Sequence, residues 1–496
     1  MTRLRLVFLT VIAVVLVALT AAWSGTSTPT PASLDRSPLP MVRSDGELGS
    51  TWFCAAGTAA VAASHSLILS NPTDRPVSAR LTGYAAAGAT PTDVVDVPPN
   101  GPLVVDVAKL GDPTMSVLIE SPSPVLTVDH QLVSDDGASR DACLTSTSDA
   151  WFFPALTSTA DAGVRLTLFN PFPGDAGVDI AIGLDTGSRV PSSLTGVVVP
   201  GGTSKVIDLG QSASRREQFT ATVRARSGRV LAEVVQNFDG SKGPRGIRVA
   251  TGVPAPARGW TFAGGFTGAG AAEHLVIQNP GTTPLHALVQ VTPYGAAAQP
   301  PEPLQIDVEA GRYVVADLSA ESRIPGIGYH AIVVEADHAF VAARTISLSG
   351  PPEAVPDPAI VGRPALDSGT ALATGSSVAS SRWVVPSIDA GADPQPVVLV
   401  HNPGAGIAVV TLRGLAGGSG VAIERATKAE IAPGDSLAVP LSALAAEPGE
   451  ATVIAESSEP VVVERLTTYP AQRDLAFDAA VPVVDAVRSL VRLGPR

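Results

Sequence analysis

Residues 260–280 read WTFAGGFTGAGAAEHLVIQNP, and the last third of this stretch decides the fold. Leu275 and Ile277 stand four and two positions before Asn279. That period-2 alternation places both side chains on one face of a β-strand. Pro280 ends the strand, because proline has no N–H to give to a ladder and fixes its own φ. Trp260 opens the segment nineteen residues ahead of Asn279, and the same spacing recurs three times, with Trp52 before Asn71-Pro72, Trp151 before Asn170-Pro171 and Trp383 before Asn402-Pro403. The aliphatic pairs recur with it: Leu67 and Leu69, Leu166 and Leu168, Val398 and Val400. The chain is a fourfold internal repeat.

About fifty residues after each Trp comes a Gly turn and another apolar strand, at Gly101, Gly202, Gly311 and Gly434. Three of these strands end in Asp106, Asp208 and Asp317, and the fourth ends in Pro440. Each copy then closes with two apolar runs around a small or polar turn, SVLIESPSPVLTV, ATVRARSGRVLAEV, AIVVEADHAFVAA and TVIAESSEPVVVE, which read as hairpins. Six or seven strands in roughly 90–100 residues predict an all-β chain of four tandem Ig-like β-sandwich modules after an N-terminal transmembrane helix. The modules are read at 51–150, 151–258, 259–350 and 382–484, as a string of small units with a tail at 485–496. A Gly/Ala/Ser-rich linker at 351–381 is expected to be a mobile connection. Each repeat is too long for one four-stranded propeller blade, which takes about 40–50 residues.

Composition agrees. Of 496 residues, 45% are hydrophobic, 47 are Gly and 44 are Pro, which excludes a helical bundle and suits short strands joined by turns. The net charge is -13 and the lysines are Lys109, Lys205, Lys242 and Lys428 alone, so no basic stripe exists for nucleic acid. Arg3 and Arg5 precede an uncharged apolar run from Leu6 to Trp23, long enough to cross a membrane. Residues 1–23 read either as a retained signal-anchor or as a signal peptide cut near Ala21 and Ala22. In both readings the body lies outside the cytoplasm: as a single-pass plasma-membrane protein with its N-terminus inside, or as a secreted one. Residues 24–50, rich in Ser, Thr and Pro at their start, read as an extended stalk.

The repeated residues have structural readings. Two positions after each Trp stands Cys54, Phe153, Phe262 or Val385, apolar and on the same face, so Trp52, Trp151, Trp260 and Trp383 are expected in cores rather than on an exposed sugar-stacking platform. Asn71, Asn170, Asn279 and Asn402 point inward at strand ends, where an amide satisfies loop backbone groups. Asp106, Asp208 and Asp317 read as turn caps; one carboxylate per copy is thin for calcium. Cys54 and Cys143 read as a disulfide in the first module, worth about 4–5 kcal/mol on the chain-entropy model. The seven histidines are dispersed, and no nucleophile elbow, phosphate loop or zinc motif occurs; Gly417-Gly418-Ser419-Gly420 is broken by Val421. Asp135-Asp136 and Arg215-Arg216-Glu217 read as solvated loops. No catalytic, cofactor-binding or metal residue is assigned.

The membrane segment, the Trp52-Phe53-Cys54 opening and the repeated Leu-x-Leu/Ile-x-Asn-Pro strands resemble an uncharacterised group of exported actinobacterial proteins, domain-of-unknown-function family 5719. The resemblance implies export and an envelope setting. It brings no activity, so no catalytic residue is carried over. The expected function is a non-enzymatic, membrane-tethered envelope scaffold and spacer. The alternative is an accessory that binds cell-wall polysaccharide in glycan assembly or export, and a third reading is a glycan hydrolase. The expected partners are the membrane through the N-terminal helix and other envelope proteins or wall glycan.

Overall fold

The structure, a computed structural model, describes residues 39–42, 49–55, 64–295, 300–326, 328–351, 364–389, 394–416, 419–422, 426–441, 450–483 and 487–489. The 1–23 segment, most of the 24–50 stalk, residues 352–363 of the expected linker and most of the 485–496 tail lie outside them. The protein is all-β, and among the described residues no helix is long and apolar enough to cross a membrane.

Each module is sandwich-like, with two sheets. In the first, Ser50–Cys54, Ser116–Ser121 and Val77–Ala85 are the main strands of an outer sheet, and Asp93–Val97 pairs with Val77–Ala85. The inner sheet runs Gly101–Asp106, Ser64–Asn71, Thr127–Val133, Ala138–Ala142. Trp52, Leu81, Val117 and Ile119 of the outer sheet pack on Leu67, Leu69 and Val128 of the inner one. The alternation read around Asn71 is thus the core-facing alternation of an inner strand, and the other three modules repeat this plan.

The two closing runs of each copy are not hairpins. Ser116–Ser121 pairs with both Ser50–Cys54 and Val77–Ala85 in the outer sheet, whereas Thr127–Val133 pairs with Ser64–Asn71 and Ala138–Ala142 in the inner one. Both edges of each arm are occupied, so the arms cannot pair with each other, and the turn carries the chain from one sheet to the other. In modules three and four the switch occurs within single long strands, Gly328–Ser349 and Glu450–Tyr469. Their first halves join outer sheets and their second halves inner sheets.

The 351–381 linker is also corrected. Ser368–Thr374 is a largely buried strand paired along its length with residues 343–349, and the next strand, Val378–Asp389, already belongs to module four. Small residues there serve close packing rather than mobility. Ser368–Thr374 is the last strand of the third inner sheet, equivalent to Ala138–Ala142, Arg245–Thr251 and Asp474–Ala479.

Those four closing strands set the tertiary arrangement. The described residues, from Leu39 onward, form one compact unit, not a string. Leu132 packs on Val235, Ile247 and Val249, joining module one to two. Ala155 and Ala250 meet Val276, Ala343 and Leu372, joining two to three. Phe266 and Tyr329 meet Leu399 and Phe477, joining three to four. Tyr469 and Ala476 then meet Ala138, and Val384, Ile454 and Val481 enter the first module's core, so the ring closes. The inner sheets converge by their last strands as propeller blades do, although each repeat carries a second sheet that a blade lacks.

Candidate functional site

The residues singled out by the repeat stay apart, each inside its own module. The four module tryptophans are at most 1% exposed and sit in four separate cores. Trp151, Trp260 and Trp383 donate Nε1–H to the carbonyls of Val230, Phe340 and Val461 at 2.9–3.0 Å, where the chain switches sheets. Asn279 donates to the carbonyls of Thr283 (2.8 Å) and Val308 (3.0 Å) and accepts from the N–H of Gly281 (2.9 Å). Asn170 and Asn402 make the same three bonds, and Asn71 makes them with one more carbonyl and the Thr73 hydroxyl. The Asp106 and Asp208 side chains cap short 3₁₀ turns, and Asp317 caps the turn after its strand. Cys54 is bonded to Cys143.

What does converge lies at the seams between modules. Strand register makes His130, Val234, Arg344 and Arg465 equivalent, each opposite the aliphatic residue four before its Asn. Asp129, Glu233, Ala343 and Glu464 immediately precede them. The cation position of one module reaches the carboxylate position of the next: His130 Nε2 stands 3.2 Å from Glu233, Arg344 Nη2 3.5 Å from Glu464 and Arg465 Nη2 2.8 Å from Asp129. Between modules two and three the same positions hold Val234 and Ala343. Burial, with His65 and Arg140 nearby, holds the His130 ring well below its usual range. Burial opposes the charge on Arg465 too, but the carboxylates of Asp478 and Asp129 outweigh it and raise the guanidinium's pKa.

At the axis, register makes Gly137, Gly246, Gly369 and Asp474 equivalent. A Cβ on Gly246 would stand 2.7 Å from Asp474 Oδ2, and one on Gly369 would stand 2.7 Å from a Leu475 methyl, so the axis admits one side chain. The Asp474 carboxylate accepts backbone N–H groups from all four closing strands: Ala138 (3.1 Å), Ile247 (2.8 Å), Thr370 (2.8 Å) and its own neighbour Leu475 (2.9 Å). Burial still pushes its carboxyl up to about 7 against those donors. Beyond the other end of these strands, Leu39 and Pro40 lie over a cavity of about 20 Å³ bordered by Asp141 and Asp478. Burial raises Asp141 to about 7 as well.

A solvent-facing cleft departs from the fourfold pattern. It opens between modules two and three, holds about 400 Å³ and is lined by Arg248, Lys242, Thr345, Ser347, Asp161 and Glu217 among others. Arg248 is 5% exposed; its Nε donates to Thr370 (2.7 Å), its Nη2 to Ser347 (3.2 Å), and its guanidinium stacks 4.6 Å over the Phe238 ring. Burial lowers its pKa to about 10. The equivalent positions in the other modules are Ser139, Ala371 and Ala476. A cleft of about 450 Å³ between modules three and four is lined by Glu335 and Glu459, with no Lys or Arg. Among the described residues, no group of three or more His, Cys, Asp or Glu is placed to hold a metal ion.

The seam charges escaped the sequence reading, although one signal was available. A charge inside an apolar strand, as in Val463-Glu464-Arg465-Leu466 or Val128-Asp129-His130, costs too much to bury unless a partner waits for it. Asp136, read as part of a solvated loop, pairs with Arg245 of module two at 3.2 Å.

The family described as "Family of unknown function (DUF5719)" matches the chain over residues 121–362 and 254–492, which takes in module four. Among solved structures, the crystal structure of Thermotoga maritima 1070 is 17% identical, covering 24% of this chain and 93% of that one at a TM-score of 0.19. The crystal structure of a tetra-tandem repeat in the extending region of a large adhesion protein is 13% identical, covering 87% of this chain and 99% of that one at a TM-score of 0.11. No curated protein matches.

Proposed function

The chain belongs to DUF5719, a family of unknown function, and on that premise we propose that it is a non-enzymatic scaffold of the cell envelope. In this reading residues 1–23 form a transmembrane helix and 24–50 a stalk. Four Ig-like sandwiches outside the lipid then serve as one interaction body. The supporting observation is the Asp474 carboxylate, which ties the closing strands of all four modules to one point. Surfaces on different modules are then held at fixed separations, as a platform for several partners needs. The spacing role falls to the stalk. Protease treatment of intact cells, followed by fractionation, tests the placement: the body is cut from outside and the full chain sediments with membranes. A chain that resists external protease and stays in the soluble fraction would contradict it. Crosslinking in intact cells then identifies partners.

A second reading, a polysaccharide-binding accessory, is favoured by the cleft between modules two and three. Its size lies within the range of ligand sites, and it gathers charged and hydroxyl side chains where the seam beside it is apolar. Retention of the purified full chain on isolated wall glycan tests it.

A further inference from the structure

We propose that the cleft between modules two and three binds a negatively charged sugar residue, with Arg248 and Lys242 taking its charge. This rests on the polysaccharide-binding reading above and names the ligand's chemistry.

Arg248 is the first reason. A buried guanidinium is normally neutralised by a carboxylate, as Arg465 is by Asp129 and Asp478. Arg248 has no carboxylate at ion-pair distance among the described residues. It is held instead by two hydroxyls and an aromatic face. Those contacts fix its orientation; Asp474 acts on its charge only from beyond ion-pair distance, and the guanidinium lines an open cleft. The pre-set planar fork suits a carboxylate or a phosphate ester. Lys242, exposed on the same cleft, adds a second positive charge.

The rest of the lining argues for a sugar over a bare anion. Asp161 and Glu217 border the same space and accept hydrogen bonds from sugar hydroxyls, which a bare inorganic anion does not offer. Thr345 and Ser347 supply hydroxyls that both donate and accept. No other module places a cation at the Arg248 position, and the neighbouring cleft with Glu335 and Glu459 is acidic.

The probe is trigalacturonic acid against its fully methyl-esterified form, the same sugar chain without charge, titrated calorimetrically into the full chain in detergent. The acid is expected to bind at least about tenfold more tightly than the ester, with an affinity that falls as salt rises. Arg248→Gln and Lys242→Ala are each expected to weaken the acid and leave the ester unchanged. Lys242 is exposed, so its variant keeps the fold even if the Arg248 variant does not. Equal binding of acid and ester overturns the charge assignment while leaving polysaccharide binding standing. Binding of neither overturns both at this cleft, and unchanged binding in Lys242→Ala removes that residue's role.

Discussion

Arg465 Nη2 and Asp129 Oδ2 stand 2.8 Å apart across 336 residues of sequence, with side chains at most 1% exposed, and their contact joins the last module to the first. Arg465 also reaches Asp478 through two nitrogens and donates to the Pro386 carbonyl. Removing one partner of a buried pair strands the other's charge.

Arg465→Val should therefore lower the stability of the full chain by about 3–5 kcal/mol in urea denaturation. Adding Asp129→Ala should not recover that loss, because Asp129 also takes the buried Arg140 at 3.0 Å, whose charge would then be stranded as well. A single-variant loss below about 1 kcal/mol would show that this pair does not hold the ring shut.

Asp474→Gly would make the axis uniform, since the three sibling positions are glycine, and would leave four N–H groups without their acceptor. The expected loss is at least about 3 kcal/mol, taking roughly 1–3 kcal/mol for each unsatisfied buried donor and allowing for water entry. Gly246→Ala should also destabilise, by about 1–3 kcal/mol, because its φ of 153° and the Asp474 oxygen leave no room for a methyl group. Thermal melts of both variants decide the matter; a neutral Asp474→Gly would remove the carboxylate from its structural role.

Asn279→Leu strands the carbonyls of Thr283 and Val308 and the N–H of Gly281. A loss of about 1–3 kcal/mol is expected. The ring is one compact unit, so the loss should appear as a shift of the whole unfolding transition rather than as a separate early phase. Two resolved transitions would mean that module three unfolds by itself.

Stability should carry opposing pH terms. Asp141, Glu464 and Asp474 are pushed up to about 7 by burial, whereas carboxyls in an unfolded chain titrate near 4. Between these values the folded protein keeps protons that the unfolded chain has released. The stabilisation is complete below about pH 4 and lost as pH rises through 7. Burial lowers His65 and His401 to about 4, so their contribution is present above about pH 6.5 and lost as pH falls through 4. Asp141→Asn should gain on the native chain by on the order of 2–4 kcal/mol between pH 4.5 and 7.5. Parallel stability profiles for the two proteins would contradict the assignment.

Much of a single module was legible in the sequence. The nineteen-residue interval from Trp to Asn and the pairs such as Leu275 and Ile277 report a strand and its core face, because side-chain direction within a strand follows backbone geometry alone. Asn279 was legible for a similar reason: its partners Thr283 and Gly281 lie within four residues. The closing strands were not. Ala138–Ala142 and Ser368–Thr374 are short and buried on both faces, so they show no alternation, and Gly137 before the first and Gly369 within the second read as loop. The closing runs read as hairpins because two apolar runs around a turn look alike whether they pair with each other or with strands of two different sheets.

By itself, the sequence determined the fourfold repeat, the β-strands, the interior place of each indole and amide, and the pairing of the two cysteines, because those features depend on short-range periodicity or on having only one possible partner. Only the tertiary structure decided that the modules close on themselves, that Asp474 gathers four strands at one point, and that Arg248 lines a cleft with no carboxylate at ion-pair distance among the described residues. Four similar copies carry similar apolar faces, so nothing local says which face meets which. At two seams, between modules three and four and between four and one, a buried guanidinium meets a carboxylate that only another module supplies, whereas apolar packing joins two to three.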